Sequence, residues 1–170
     1  MFQVISKIRE NRRLRIQSFG VEDLGSLMEL EKQAFPIDFW SKEIFASELS
    51  RKDASIRVIK CDGQVVGYVH TEVFEQQKRK KRIKVGEIGS IAVSDDHKGK
   101  GLGAKLLKHG IAQLEKKSVD LYSMQTRMDN IAMKRLAEKK FGFKTTKIHK
   151  DFYNDGSSAY EMILPASNQA

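Results

Sequence analysis

The stretch from Ile88 to Leu107 constrains this chain more than any other. It reads as a strand, then Asp95-Asp96-His97, then Lys98-Gly99-Lys100-Gly101-Leu102-Gly103, then an amphipathic helix. A strand that feeds a glycine-rich turn into a helix N-terminus makes an anion cradle. Unpaired backbone N–H groups point at the anion, the helix dipole favours it, and glycines allow close approach. Lys98 and Lys100 add positive charge. Two familiar phosphate loops do not fit. A Walker loop needs Gly-Lys-Ser/Thr, but Gly103 is followed by Ala104 and Lys105. The dinucleotide fingerprint needs a third glycine where Leu106 stands, and it sits in the first βαβ unit, whereas this loop lies past mid-chain. A connector that binds nothing is the bland alternative, and the agreement of strand, charge and helix speaks against it.

The strand before the loop carries a second signal. Ile88 and Ile91 are three apart, so a regular strand would turn them to opposite faces, while Ile91 and Val93 keep the period of two. A bulge at Gly89–Ser90 restores one face, and bulges often lie beside active sites. A plain buried strand with an incidental glycine is the competing reading.

Elsewhere the pattern is mixed. A strand is expected at Leu14–Phe19, and a helix from Glu22–Asp23 to Phe35–Pro36 with Val21, Leu24, Leu27 and Met28 at helical spacing. Ser41 caps a second helix. Strands at Ser55–Cys61 and Gln64–Val73 meet at Asp62–Gly63, a favoured hairpin turn. After the strand Lys84–Ser94 and the helix through Leu114 come a strand at Leu121–Thr126 and a helix from Asp129 to Lys140. Strands at Phe143–Lys150 and Ala159–Leu164 follow. The expected class is α/β, with a mixed, mostly antiparallel central sheet flanked by helices. One domain, residues 14–165, is expected between an N-terminal extension, 1–13, and a tail, 166–170.

Composition narrows the partners. Thirty-one basic against 22 acidic residues give +9, which favours an anionic partner: nucleic acid or a phosphate-rich cofactor. Lys78, Arg79, Lys80, Lys81 and Arg82 are consecutive; they suit a solvated hairpin tip better than a docking patch for RNA or an acidic protein. Nucleic acid is therefore not the expected partner. One cysteine, Cys61, and four scattered histidines give neither a disulfide framework nor a metal site. No apolar run reaches membrane-spanning length, and no secretory signal is read at the start, so a soluble cytoplasmic protein is expected, as a monomer or homodimer.

Lys98-x-x-Gly101-x-Gly103 resembles the pyrophosphate signature of the GNAT acetyltransferases, Gln/Arg-x-x-Gly-x-Gly/Ala. Asn130-x-Ala132 and Gly142–Phe143 match that family's downstream motif. The resemblance runs from Leu14 to Leu164 and is nearest to the protein N-terminal acetyltransferases of the ribosomal-protein alanine type. It implies acetyl-CoA as donor, its pyrophosphate held at Lys98, Gly99, Lys100, Gly101, Leu102, Gly103 and Ala104. It further implies that Ile91 polarises the thioester carbonyl through its N–H, and that Ala92 and Val93 lie along the pantetheine. Asn130 is either a contact to CoA or a helix cap.

For proton handling, Glu87 matches the general-base glutamate of histone-type members; a solvent-facing strand glutamate is the alternative. The family's frequent acid, a tyrosine seven residues after the asparagine, is here Ala137, and its strand glutamate is Gln125. Tyr153 is then the remaining side chain for protonating the thiolate, unless water does so. The segment Ala137–Phe143 is one residue longer than in the family. Phe35-Pro36-Ile37-Asp38-Phe39 resembles the Phe-Pro-Val-x-Tyr loop that surrounds a substrate's first residue, and Phe152–Tyr153 resembles the facing Tyr–Tyr pair. Phe35, Pro36, Ile37, Phe39, Gln125 and Tyr153 are thus candidates for binding an amine acceptor. A protein N-terminal α-amine comes first: its pKa, about 8 against about 10.4 for lysine, leaves more of it neutral. A small-molecule amine, or a non-catalytic CoA-binding or RNA-docking module, stays open.

Overall fold

Asp62 and Gly63, at φ 49° and 82°, turn the chain back on itself in the left-handed conformation that such a hairpin demands. The computed structural model describes residues 14–167. In order these form β1 (Ile16–Ser18), a 3₁₀ turn (Val21–Asp23), α1 (Leu24–Ala34), α2 (Lys42–Ser50), β2 (Ala54–Cys61), β3 (Gln64–Lys78) and β4 (Lys81–Val93). A second 3₁₀ turn (Asp95–His97) precedes α3 (Leu102–Glu115), β5 (Leu121–Arg127), α4 (Ile131–Leu136), a π turn (Ala137–Phe141), β6 (Lys144–His149) and β7 (Ala159–Pro165). The expected extension, 1–13, lies outside the described residues, as does most of the tail. Ala166 is buried and donates its N–H to Asp120 at 3.1 Å.

The seven strands form one sheet in the order β1-β2-β3-β4-β5-β7-β6. Every neighbouring pair is antiparallel except β4–β5. This is the mixed, mostly antiparallel sheet with helices on its faces that the sequence suggested. One face buries Val69, Ile88 and Met124 against Leu106, Leu107 and Leu114 of α3. The other buries Val58, Tyr68 and Ala92 against Leu27 and Leu30 of α1 and Phe45 of α2. Ser41 caps α2 through its hydroxyl, which accepts the N–H of Ile44.

The largest departures from expectation are at the β3–β4 tip and at the end of α4. β3 and β4 run on to Lys78 and Lys81, which face each other across a tip at Arg79, where φ is 54°. The basic run is a hairpin tip as expected, but its flanks are strand rather than loop, because ladder hydrogen bonds join backbones whatever the side-chain polarity. The helix expected through Lys140 keeps α geometry only to Leu136. The π turn after it takes up the extra residue of Ala137–Phe143, so that Gly142, at φ 80°, still closes the helix and Phe143 still reaches the core.

Candidate active site

The bulge on β4 is where the sheet opens. Ser90 faces His70 and Ile88 faces Thr71, so Gly89 has no partner on β3. With that extra residue, Ile88, Ile91 and Val93 all pack on the α3 side, while Ala92 packs on the α1 side and Ser90 bonds Tyr68 there. The expected bulge is present. On the other edge of β4, pairing with β5 runs only from Val85–Leu121 to Ile88–Met124. Beyond it the two parallel strands part, and a cleft of about 170 Å³ lies between them. A Cβ at position 89 would lie 2.6 Å from His70 Nδ1, so a side chain there would force the ring or the bulge to shift.

The glycine loop follows directly. Gly99 and Gly101 have φ of 74° and 78°, with open space around the Cβ each lacks. Their role is therefore the turn itself, which leads into α3 with Gly101 as its N-cap residue. The first N–H groups of α3 have no carbonyl to bond within the helix. Lys98 pairs with Asp95 at 2.6 Å on the exposed rim. A pyrophosphate fits this setting: open space, left-handed glycines and a fourteen-residue helix pointing its N-terminus at it.

The cleft's other walls come from three places. Phe35, Asp38 and Trp40 belong to the α1–α2 connection, Gln125 to Arg127 to β5, and Tyr153 to the β6–β7 loop. Arg127 holds these walls together. It donates to Asp38 at 3.2 Å and to Asp155, and its guanidinium lies 4.5 Å from the Tyr153 ring centre. Asp38 also accepts the N–H of Asn154 at 3.0 Å. Burial raises the Tyr153 pKa. Phe35 lines the cleft, whereas Pro36, Ile37 and Phe39 are exposed and stand outside its lining. Asn130 caps α4 by accepting the N–H of Met133 at 3.1 Å, and also borders the cleft.

Glu87 stands opposite Glu72 in the hairpin register and lines a second groove, about 270 Å³, on the sheet face away from α3. Burial first, and then the charge of Glu72, raise its pKa, while a hydrogen bond from Gln125 works the other way. Gln125 borders both hollows and so joins Glu87 to the cleft. Among the described residues no cluster of side chains could hold a metal ion.

Residues 24–143 match the acetyltransferase (GNAT) family. The chain belongs to that family. The enzyme is an acetyltransferase, and acetyl-CoA is its cosubstrate. It is 27% identical over 165 residues to an N-alpha-acetyltransferase of Sulfurisphaera tokodaii, covering 94% of this chain and 98% of the relative. It is 30% identical over 157 residues to the ribosomal protein bS18-alanine N-acetyltransferase of Escherichia coli, covering 89% and 97%. Its fold matches the crystal structure of Arabidopsis thaliana NAA60 in complex with acetyl-CoA at TM-score 0.75, 16% identity and coverage of 90% and 99%. Among the described residues no helix of the enzyme is long and apolar enough to cross a membrane.

The cleft also holds residues that sequence reasoning passed over. Asp38 stands at the unspecified position of the Phe35–Phe39 motif, and Arg127 carried no motif. Glu31 did leave a trace: it occupies a position of the apolar stripe of α1, following Leu24 and Leu27, and is 1% exposed. A carboxylate on a buried stripe is the signal that was there to find.

Proposed function

We propose that the enzyme acetylates the α-amine of a polypeptide N-terminus by direct transfer, with Glu87 as general base. The observation that carries this reading is the mouth of the cleft. Its two lips, the α1–α2 connection and the β6–β7 loop, are joined through Asp38, Arg127 and Asp155, which sets Phe35 and Tyr153 in one cleft lining. The two relatives compared above are named for N-alpha-acetylation and for alanine N-acetylation of a ribosomal protein, which supports the same acceptor.

In this reading the donor's pyrophosphate rests on the backbone amides from Gly99 to Ala104, with Lys98 nearby. Pantetheine follows Ala92 and Val93 into the splay, and the Ile91 N–H polarises the thioester carbonyl. The Nδ2 group of Asn130 remains for the donor, since its Oδ1 caps α4. Phe35 and Tyr153 flank the incoming residue. Glu87 takes the amine's proton through water ordered by Gln125, and its raised pKa suits that role. Tyr153 gives a proton to the departing thiolate.

Thiol release should be measured with alanine-leading peptides, lysine peptides and spermidine as acceptors. The α-amine peptides should react fastest; a clear preference for spermidine would overturn the acceptor. Glu87→Gln should retain acetyl-CoA affinity and lose turnover at neutral pH by ~10²–10⁴-fold, the usual worth of a general base. The loss should shrink as pH rises, because more acceptor then arrives deprotonated. Turnover within about threefold of wild type throughout, far below that range, removes Glu87 from the role.

A further inference from the structure

An amine that enters the cleft as an ammonium ion sheds two protons: one to become a nucleophile, and one from nitrogen as the amide forms. Glu87 serves for one. A second path leads into the body of the enzyme on the other side of the cleft.

Ser90 lines the cleft at the bulge, one residue before Ile91. Its Oγ lies 2.6 Å from the hydroxyl of Tyr68 on β3, and that hydroxyl donates to Glu31 Oε2 on α1. The chain has a direction. An ionised carboxylate only accepts, and Tyr68 has one proton to give, so Tyr68 donates to Glu31 and Ser90 donates to Tyr68. The lone pairs of Ser90 Oγ are then left to accept. The other carboxylate oxygen, Glu31 Oε1, accepts the N–H of Trp40 at 3.0 Å. Tyr68 is fully buried and Glu31 nearly so, and among the described residues Glu31 forms no ion pair. A carboxylate buried without a cation binds a proton more readily, and burial does raise the Glu31 pKa. Asp38, the nearby acid of the α1–α2 connection, has its charge taken up by Arg127.

We propose that Ser90, Tyr68 and Glu31 form a proton relay that draws a proton from the acceptor nitrogen into the enzyme. Ser90 is the group that touches the substrate, and Tyr68 and Glu31 act through it. The N–H bond breaks as Ser90 Oγ takes the proton. Ser90 passes its own proton to Tyr68, and Tyr68 passes its proton to Glu31. Nitrogen keeps the electron pair, the new C–N bond stands, and the thiolate leaves with the electrons of the C–S bond. Glu31 ends as a neutral acid and returns the proton along the same path once the products have gone. The relay rests on the cleft being the site of acetyl transfer, and it is independent of which amine is acetylated.

The test uses Ser90→Ala, Tyr68→Phe, the double variant and Ser90→Thr. Turnover and KM are measured with acetyl-CoA and both an alanine-leading peptide and spermidine, from about pH 6.5 to about 9, the range in which an α-amine titrates. Each single removal should lower kcat by ~10²-fold at neutral pH, with the acetyl-CoA KM unchanged and the loss shrinking as pH rises. The double variant should lose no more than the worse single one, because both break one chain. Ser90→Thr, which keeps the hydroxyl, should restore most of the turnover. Tyr68 is buried, so melting curves check each fold, and Glu31→Gln replaces Tyr68→Phe should the latter fail to fold. Losses that multiply in the double variant, or a Ser90→Ala kcat within about threefold of wild type, overturn the relay. A loss confined to Glu87→Gln overturns the relay and keeps Glu87 as base. A loss shared by the Ser90 and Tyr68 variants but absent from Glu87→Gln does the reverse, and a loss confined to Ser90→Ala overturns the relay.

Discussion

Position 89 has no room for a side chain, because His70 Nδ1 would lie 2.6 Å from a Cβ built there. Its ring is held by Trp40 at 4.9 Å and by Glu48, 3.0 Å from Nε2. Gly89→Ala should therefore shift the bulge or the ring and cost ~1–3 kcal/mol, read as a lower melting temperature together with reduced turnover. Gly101 is a different case. Space is open there, and only its φ of 78° matters, so Gly101→Ala should cost about 1–2 kcal/mol of strain and still bind acetyl-CoA. Gly101→Asp adds a negative charge at the same place and should abolish binding, which calorimetry would read directly. Glu31 links stability to pH. Its pKa is raised in the folded state, so the fold binds its proton more readily than the unfolded chain does. Its contribution to stability accordingly grows as pH falls from the folded pKa toward the unfolded value of about 4.3. Glu31→Gln should remove that dependence. Melting curves at alkaline pH should find it at least as stable as wild type, and turnover assays should find it less active.

The elements differ in what they do for the site. The β3–β4 ribbon carries its five consecutive cations, Lys78 to Arg82, at a tip where Lys78 faces Lys81 and Arg82 pairs with Glu75. Neutralising the run should leave turnover on a small acceptor unchanged, because the tip lies at the opposite end of β4 from the splay at Ile91. A uniform loss on every acceptor would place the ribbon in the site. The α1–α2 connection depends on Arg127 for its position. Arg127→Ala strips Asp38, Asp155 and the Tyr153 ring of one shared partner. A charged hydrogen bond is worth ~1.5–3 kcal/mol, so the acceptor KM should rise about tenfold or more, while acetyl-CoA affinity holds. Initial-rate kinetics with each substrate varied in turn separate the two effects. The π turn after α4 shows an element absorbing an insertion: five residues, Ala137–Phe141, widen one turn so that the buried Phe143 keeps its place.

For the whole molecule, the clearest expectation is stabilisation by the donor. A ligand that binds only the folded state adds about 2.7 kcal/mol at a concentration of 100 times its Kd. At about 2–4 °C per kcal/mol for a chain of this size, acetyl-CoA should raise the melting temperature by roughly 5–10 °C. The shift should shrink with added salt, because the phosphates meet a protein of net charge +9. A melting temperature indifferent to acetyl-CoA would mean that the loop before α3 does not receive it.

Much of this architecture was written in the order of residues, because it depends on near neighbours. The glycine loop, the Asp62–Gly63 turn, the Ser41 cap and the bulge at Gly89 are each decided within a few positions, by φ preference, capping chemistry or the period of two. Those features, set among strands and helices that alternate in part, were enough for the mixed sheet and for the glycine turn that leads into α3. The opposite wall of the cleft was legible only in part: Phe35, Gln125 and Tyr153 were singled out from the sequence, but the pairs that hold that wall were not. Tyr68 meets Glu31 across 37 positions and Ser90 across 22, and Arg127 meets Asp38 across 89. No local pattern encodes such pairs, since strand order and register decide which side chains face each other. Glu87 faces Glu72 because the β3–β4 register sets it there, and it is linked to the cleft through Gln125, which comes from the parallel neighbour β5. A shift of one residue would have turned each of these side chains to the other face of the sheet. Tertiary structure decided these pairings for that reason: they are contacts between distant segments, whereas the glycine loop is one continuous turn.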